Sequence, residues 1–234
     1  YVIIQSAAWL PWAWYAILNY RLSGGRRYLV LLSWCFAAQT LVGHPHELLL
    51  TVLSGFTLLA LCEWMLPSLR TTPGPRLHRW RVLLSVLVLG VGVGAVMLAP
   101  TGVLHFLTAR SEPSLSFITS IPIARDVLRT FVNVRGTQGA YWEREGFTGF
   151  AALALLVPAA LSWRRARIIS VLVSLFFIAF AMGVSQINPI YRVVVYIPFL
   201  NGFRAAARWL VVISACLSLL AGFGLTVLPE RLPR

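Results

Sequence analysis

The sequence has no lysine and few acidic side chains. All 20 of its basic residues are arginine, only 7 residues are Asp or Glu, and charged residues make up 12% of the 234 positions. Hydrophobic residues make up 59%, and the mean hydropathy is +0.79. A water-soluble domain of this length cannot cover so much apolar surface. The composition therefore predicts a protein embedded in a lipid bilayer.

Cysteine is scarce as well, and no cofactor motif is present. Cys35, Cys62 and Cys216 each fall inside an apolar run, without the spacing of a disulfide framework or a thiolate metal site. Gly90, Gly92 and Gly94 follow no predicted strand and precede no Lys, so they do not form a phosphate-binding loop. The four-residue spacing of Gly90 and Gly94 instead predicts a face for close helix packing. The sequence therefore assigns no metal-ligating and no cofactor-binding residue.

Seven apolar runs are long enough to cross a hydrocarbon core of about 30 Å. Backbone amides in lipid must be satisfied within the segment, and these runs lack the alternation of barrel strands, so they are predicted to be helices. The fold class is all-α, a polytopic transmembrane helix bundle in one domain over residues 1–234. The predicted spans are 2–20, 28–43, 48–66, 82–99, 147–163, 168–184 and 209–228.

The arginines predict the orientation of these spans. They cluster beside the apolar runs, which indicates membrane topology rather than nucleic-acid binding, although the net charge is +13. Basic connections face the cytoplasm, so the segment is predicted to start outside and end inside. The cytoplasmic connections carry Arg21, Arg26 and Arg27; Arg70, Arg76, Arg79 and Arg81; Arg164, Arg165 and Arg167; and, in the tail, Arg231 and Arg234.

The connection at about 100–146 is predicted to lie outside and to hold structure of its own, since 47 residues are too many for a bare loop. Pro122 suits a helix start. From there apolar residues recur on one face, which predicts an amphipathic helix lying at the membrane surface. Because Tyr1 lies almost inside the first span without an initiator Met, the chain is expected to be a fragment of a longer protein.

Three ionisable groups stand at the turn between the second and third spans, in the stretch His44-Pro45-His46-Glu47. Pro45 suits a helix start, and Glu47 would then lie in the first turn near the positive end of the helix dipole. That account is sufficient, but His44 or His46 could also contact a phosphate or a sugar hydroxyl. A zinc site lacks a third ligand at a recognised spacing.

The last outer connection carries a second polar group. Arg204 and Arg208 are four residues apart at the start of the seventh span, so both guanidinium groups can converge on one anion. Tyr191 and Arg192 lie earlier in the same connection. These arginines are predicted on the side that positive charge usually avoids, which favours a binding role, although anchoring to lipid headgroups explains them equally well.

Glu63 lies near the inner end of the third span, where exposing a carboxylate to lipid would cost free energy. A structural role facing protein or the headgroups is the favoured interpretation. A proton relay is the alternative.

Two of these stretches resemble a known family. "QTLVGHPHE" resembles the Gly-His-Pro element of the bacterial YfhO-like membrane proteins, and "NPIYRVVVYIPFLNGFRAAARWLVVISACLSLLAGFGL" resembles their Pro-x-x-Phe-x-x-Phe-Arg-x-x-x-Arg run and Ala-Gly-x-Gly-Leu ending. "GFTGFAALALLVPAAL" is similar to the family's start of a late span. The likeness covers most of residues 38–228.

The resemblance implies a glycosyltransferase of the GT-C superfamily in the bacterial inner membrane. Such enzymes move a sugar from a polyprenyl-phosphate carrier to an envelope polymer or lipid acceptor outside the cytoplasm. It also implies a catalytic carboxylate in the first outer loop, upstream of Tyr1. Asp126, Glu143 and Glu145 are only weak candidates for that base, since neighbouring arginines keep them ionised.

On this interpretation the fragment contributes the carrier groove and the phosphate end of the donor site. Arg204 and Arg208 would stabilise the departing phosphate, with Arg192 or His44 as helpers. The predicted substrate-binding residues are Arg204, Arg208, Arg192, His44, His46, Glu47 and Tyr191. Two alternatives stay open, namely a transporter or flippase for a lipid-linked or anionic solute, and a non-catalytic membrane scaffold.

Overall fold

A computed structural model describes residues 2–42, 45–66, 76–107, 150–162, 166–183 and 208–231. These residues form helices and no strand, which confirms the predicted all-α class for this part of the chain. The helices are α1 (Val2–Ala7), α2 (Leu10–Ser23), α3 (Arg26–Leu41), α4 (Pro45–Met65), α5 (Arg76–Leu107), α6 (Phe150–Ala160), α7 (Ala166–Gly183) and α8 (Trp209–Arg231).

Three of these helices contain segments long and apolar enough to cross a membrane: His46–Met65, His78–Met97 and Trp209–Val227. The helices α6 and α7 are apolar but shorter. On α5, exposed Val88, Val93 and Val96 give the helix an apolar surface of the kind that lipid covers. The described part of the chain thus has helices long and apolar enough to span a membrane, while the bundle of seven spans stays a prediction.

The chain divides into two compact units, unit 1 from Tyr1 to Ala109 and unit 2 from Arg110 to Arg234. The prediction of one domain across the whole chain stays a prediction. The amphipathic helix predicted from Pro122 lies outside the described residues. At the start of that connection, however, α5 continues to Leu107, so residues 100–107 are helical.

The first predicted span, 2–20, is not one helix. It is broken between α1 and α2 at Ala8 and Trp9. Pro11 stands at the start of α2, and proline there has no N–H to donate, while its ring would collide with the carbonyl four residues earlier, that of Ala7. The apolar composition predicted a helical region correctly, and the proline places the break inside it.

Two arginines assigned to cytoplasmic connections are in fact helical and buried. Arg21 lies in the last turn of α2 and Arg79 in the first turns of α5, and each is 3% exposed. The predicted spans 48–66 and 82–99 leave residues 67–81 between them, but α5 already begins at Arg76, so this connection is shorter than predicted. Arg81 on the same helix is exposed.

Unit 1 is built around the hairpin of α2 and α3. The chain reverses at Gly24, whose φ of 67° is left-handed and whose N–H donates to the carbonyl of Tyr20. The helix α3 then packs on α2 and α5. The core between the helices of unit 1 includes the fully buried Ile17, Leu32 and Phe36.

Close packing of α5 on α3 depends on two glycines. A Cβ atom at Gly90 would lie 2.7 Å from the carbonyl oxygen of Ser33, and one at Gly94 would overlap Thr40. A Cβ at Gly92 would meet nothing within 4 Å. The prediction that Gly90 and Gly94 form a helix-packing face is confirmed.

Helices of unit 2 also pack closely at a glycine. The helix α8 packs on α6 and α7, and a Cβ at Gly224 would overlap the backbone carbonyl of Leu155 on α6. Gly222 faces open space. Buried Leu175 and Ile213 fill the core of this unit.

Candidate functional site

Buried polar side chains line one face of α4. Glu47, Thr51 and Ser54 follow one another at four- and three-residue spacing, which places them on a single helix face over about 10 Å of helix length. Their exposed fractions are 2%, 0% and 0%. We call these three residues the polar column, and the two ends of α4 its Glu47 end and its Glu63 end.

The start of α4 agrees with its sequence. The helix begins at Pro45 and carries Glu47 in its first turn, as predicted from helix-start preferences. His46 beside it is also buried, at 6% exposed. Two ionisable side chains are thus held inside the protein at the Glu47 end.

Neighbouring helices hydrogen-bond to the polar column. Gln39 of α3 donates from Nε2 to Thr51 Oγ1 at 2.8 Å and to the carbonyl oxygen of Ser6 at 2.9 Å. Trp14 of α2 donates from Nε1 to Ser54 Oγ at 3.1 Å. Hydrogen bonds to α1, α2 and α3 therefore fix the side chains around the column.

The polar column ends at an apolar layer. Beyond Ser54, the next buried side chains of α4 are Leu58 and Leu59, each 1% exposed. Gly55 packs so closely on Ile17 that a Cβ there would lie 2.7 Å from its Cδ1. Among the described residues, the buried polar face thus runs from Glu47 to Ser54 and ends at these leucines toward the Glu63 end.

The Glu63 end holds a buried ionic group that joins α2, α4 and α5. Glu63 Oε2 accepts from Arg79 Nη2 at 3.0 Å, and Glu63 Oε1 lies 3.5 Å from Arg21 Nε. Arg21 Nη2 also donates to the carbonyl oxygens of Cys62 and Leu66, at 2.9 and 2.6 Å. The Cys62 carbonyl also accepts from the N–H of Leu66 at 3.0 Å, so Arg21 binds the carbonyl groups at the C-terminal end of α4, where helical hydrogen bonds run out.

This group, the Arg21–Glu63–Arg79 triad, supports the structural interpretation of Glu63. Both arginines compensate the carboxylate, and the negative end of the α4 dipole offsets the remaining positive charge. Both carboxylate oxygens of Glu63 face guanidinium groups from neighbouring helices, which is the arrangement of a structural ion pair.

The predicted binding residues are described only in part. His46 and Glu47 lie in unit 1, and Arg208 lies in unit 2, directly before α8. His44, Tyr191, Arg192 and Arg204 lie outside the described residues. That the histidine turn and the arginine pair meet over one phosphate stays a prediction.

No metal centre is evident in the part of the chain that the structure describes: there, no three His, Cys, Asp or Glu side chains group as ligands. Comparison of the chain with protein-family models, with curated proteins and with solved structures gives no match. The resemblance to YfhO-like proteins accordingly stays a prediction.

The sequence analysis missed the residues of this site that lie beyond Glu47 along α4, and their partner on α3. Thr51, Ser54 and Gln39 were not singled out, although Thr51 and Ser54 lie four and seven residues after Glu47 in an apolar run. Helical spacing of polar residues inside an apolar helix is a signal of an internal polar face. That Gln39 faces this column from α3 depends on packing between helices and has no local signal.

Proposed function

We propose that this chain is the membrane-embedded part of a bacterial glycosyltransferase similar to the YfhO-like proteins. It would transfer a sugar from a polyprenyl-phosphate carrier to an envelope polymer or lipid acceptor on the extracytoplasmic side of the inner membrane. The observation that carries the proposal is the polar column, which lies toward one end of a membrane-length helix and is bounded by leucines toward the other end. A polar site of this shape suits a reaction at one membrane face.

On this proposal, each of these residues has its own chemical role. Glu47 accepts hydrogen bonds from sugar hydroxyls, and His46 can donate to a phosphate or a hydroxyl. Arg208, with Arg204, would stabilise the negative charge that develops on the departing carrier phosphate. The base that activates the acceptor hydroxyl is expected upstream of Tyr1, where the family resemblance puts it.

Arg208→Ala should lower sugar transfer by about 10²–10³-fold, because it removes a cation from the developing phosphate charge. Transfer is measured in the intact protein with radiolabelled undecaprenyl-phosphate monosaccharides. Arg204→Ala should behave alike. The control is Arg167→Ala, an exposed arginine of α7 that the predicted topology puts at the opposite membrane face. Full transfer by Arg208→Ala at normal protein levels would remove Arg208 from the site.

One observation favours the transporter alternative. The helix break at Ala8 and Trp9 lies next to Ser6, which binds Gln39 of the polar site, and discontinuous helices mark binding sites in many transporters. Against it, Leu58, Leu59 and the Arg21–Glu63–Arg79 triad close the Glu63 end.

Transport measurements in proteoliposomes distinguish the glycosyltransferase from the transporter. Proteoliposomes without any sugar carrier should show no uptake of anionic solutes, and proteoliposomes with fluorescent undecaprenyl phosphate should show no protein-dependent movement between leaflets. Protein-dependent flux in either assay would favour the transporter.

A further inference from the structure

Two buried oxygen atoms beside the polar column have no hydrogen-bond partner within the protein. They are Gln39 Oε1 and Ser6 Oγ, and both side chains are 0% exposed. A buried polar atom without a partner costs free energy, and in folded proteins such atoms are usually satisfied by an internal water or a ligand. The pair therefore marks a place where something binds.

The chemistry of the Gln39 amide defines what binds there. Its nitrogen faces the carbonyl oxygen of Ser6 at 2.9 Å, and a carbonyl can only accept, so the amide cannot be turned around. The second amide hydrogen goes to Thr51 Oγ1. The free Oε1 atom is thus an acceptor with a fixed direction, and its partner must be a donor.

The surroundings favour a neutral donor. The groups that hydrogen-bond to Gln39 are a backbone carbonyl and a threonine hydroxyl, and an ion buried against neutral groups alone would lose more hydration than they return. A hydroxyl group satisfies both free atoms, since it donates to Gln39 Oε1 and can accept from or donate to Ser6 Oγ.

We propose that Gln39 and Ser6 form a binding site for one hydroxyl group at the break between α1 and α2. Two sources supply that chemistry, an internal water or a hydroxyl of the carrier-linked sugar. Thr51, which holds Gln39, lies one helical turn from Glu47, so a sugar bound at the Glu47 end can extend to the site. Only occupancy by a sugar rests on the proposed function.

The position of Ser6 explains how a fully buried site exchanges its occupant. Ser6 belongs to α1, which has six residues and is separated from α2 by the break. So short a helix has little stability of its own and depends on its contacts. Displacing α1 would break its contacts with α3 and α4 and remove Ser6 from the site.

Ser6→Ala is the test, because it removes the free hydroxyl and keeps the carbonyl that binds Gln39. If a hydroxyl is bound, the variant loses one of its partners, and the melting temperature of the intact protein should fall by about 2–4 °C. If nothing binds to Ser6 Oγ, the substitution removes a buried hydroxyl that has no hydrogen-bond partner, and the melting temperature should rise. The matched control is Ser170→Ala, an exposed serine bonded only to its own helix, with no change expected.

A cryo-electron microscopy map of the intact wild-type protein, at a resolution that shows ordered water, provides the second readout. We expect density within hydrogen-bond distance of both Gln39 Oε1 and Ser6 Oγ. If it persists without added carrier, the occupant is water, and if undecaprenyl-phosphate monosaccharide replaces it with sugar density, the occupant is substrate. Absent density, or a stabilised Ser6→Ala variant, overturns the site. Water density in a protein without transferase activity keeps the site and refutes the proposed function.

Discussion

Glu63→Gln should lower the free energy of unfolding by about 3–5 kcal/mol, because it leaves two buried arginines without their counter-charge. Both arginines of the Arg21–Glu63–Arg79 triad are 3% exposed, and the Glu63 side chain is 8% exposed. Solvent therefore cannot replace the lost carboxylate. Arg21 keeps its bonds to the α4 carbonyls, whereas the glutamate that holds Arg79 by a salt bridge is lost.

The loss can be measured through the cysteines. Cys35, Cys62 and Cys216 are all free and buried, so a thiol-reactive fluorescent dye reports unfolding as each becomes accessible. In a Cys216→Ser background, the dye follows unit 1 alone. The expected result is a large drop in the unit 1 transition of Glu63→Gln in detergent.

Two further variants make the result specific to charge. The double variant Glu63→Met/Arg79→Met removes one charge of each sign and should be more stable than Glu63→Gln, because no uncompensated charge is added. Arg81→Gln, on the exposed side of the same helix, should change stability by less than about 0.5 kcal/mol. A Glu63→Gln protein as stable as wild type would show that the triad contributes nothing.

The triad shows where sequence reasoning is limited. Glu63 was expected to face protein or the lipid headgroups, and it lies against arginines of two neighbouring helices. Its partners, Arg21 and Arg79, were instead assigned to cytoplasmic connections, since the topology rule uses only the position of a charge along the chain. Burial depends on which helices become neighbours, and α2, α4 and α5 meet through contacts that no local pattern records.

Local sequence patterns predicted the helical class and the start of α4, although they did not predict the triad. The helical class follows from the need to satisfy backbone groups in lipid, and the start of α4 follows from Pro45 and Glu47. The break before α2 was predictable from Pro11 by the same proline rule, although the length of the apolar run concealed it. The polar column has a periodic signal on α4, whereas the contribution of Gln39 required the arrangement of α3 against α4.

The packing of α3 on α5 provides the second large effect. Gly94→Leu should lower the free energy of unfolding of unit 1 by about 3 kcal/mol or more, since overpacking a close contact forces the backbone to move. The first atom of the new side chain would already overlap Thr40. Gly90→Leu should act alike, because its Cβ would lie 2.7 Å from a backbone oxygen that cannot rotate away.

Gly92→Leu is the matched control, because it places the same side chain on the same helix with nothing within 4 Å of its Cβ. Its unfolding transition should lie within about 0.5 kcal/mol of wild type. Leucine is also the better helix former, so intrinsic propensity alone would make all three variants more stable. A fall at positions 90 and 94 but not at 92 therefore measures the approach of α3 to α5, whereas equal stability of the three variants would mean that these helices do not pack through the glycine face.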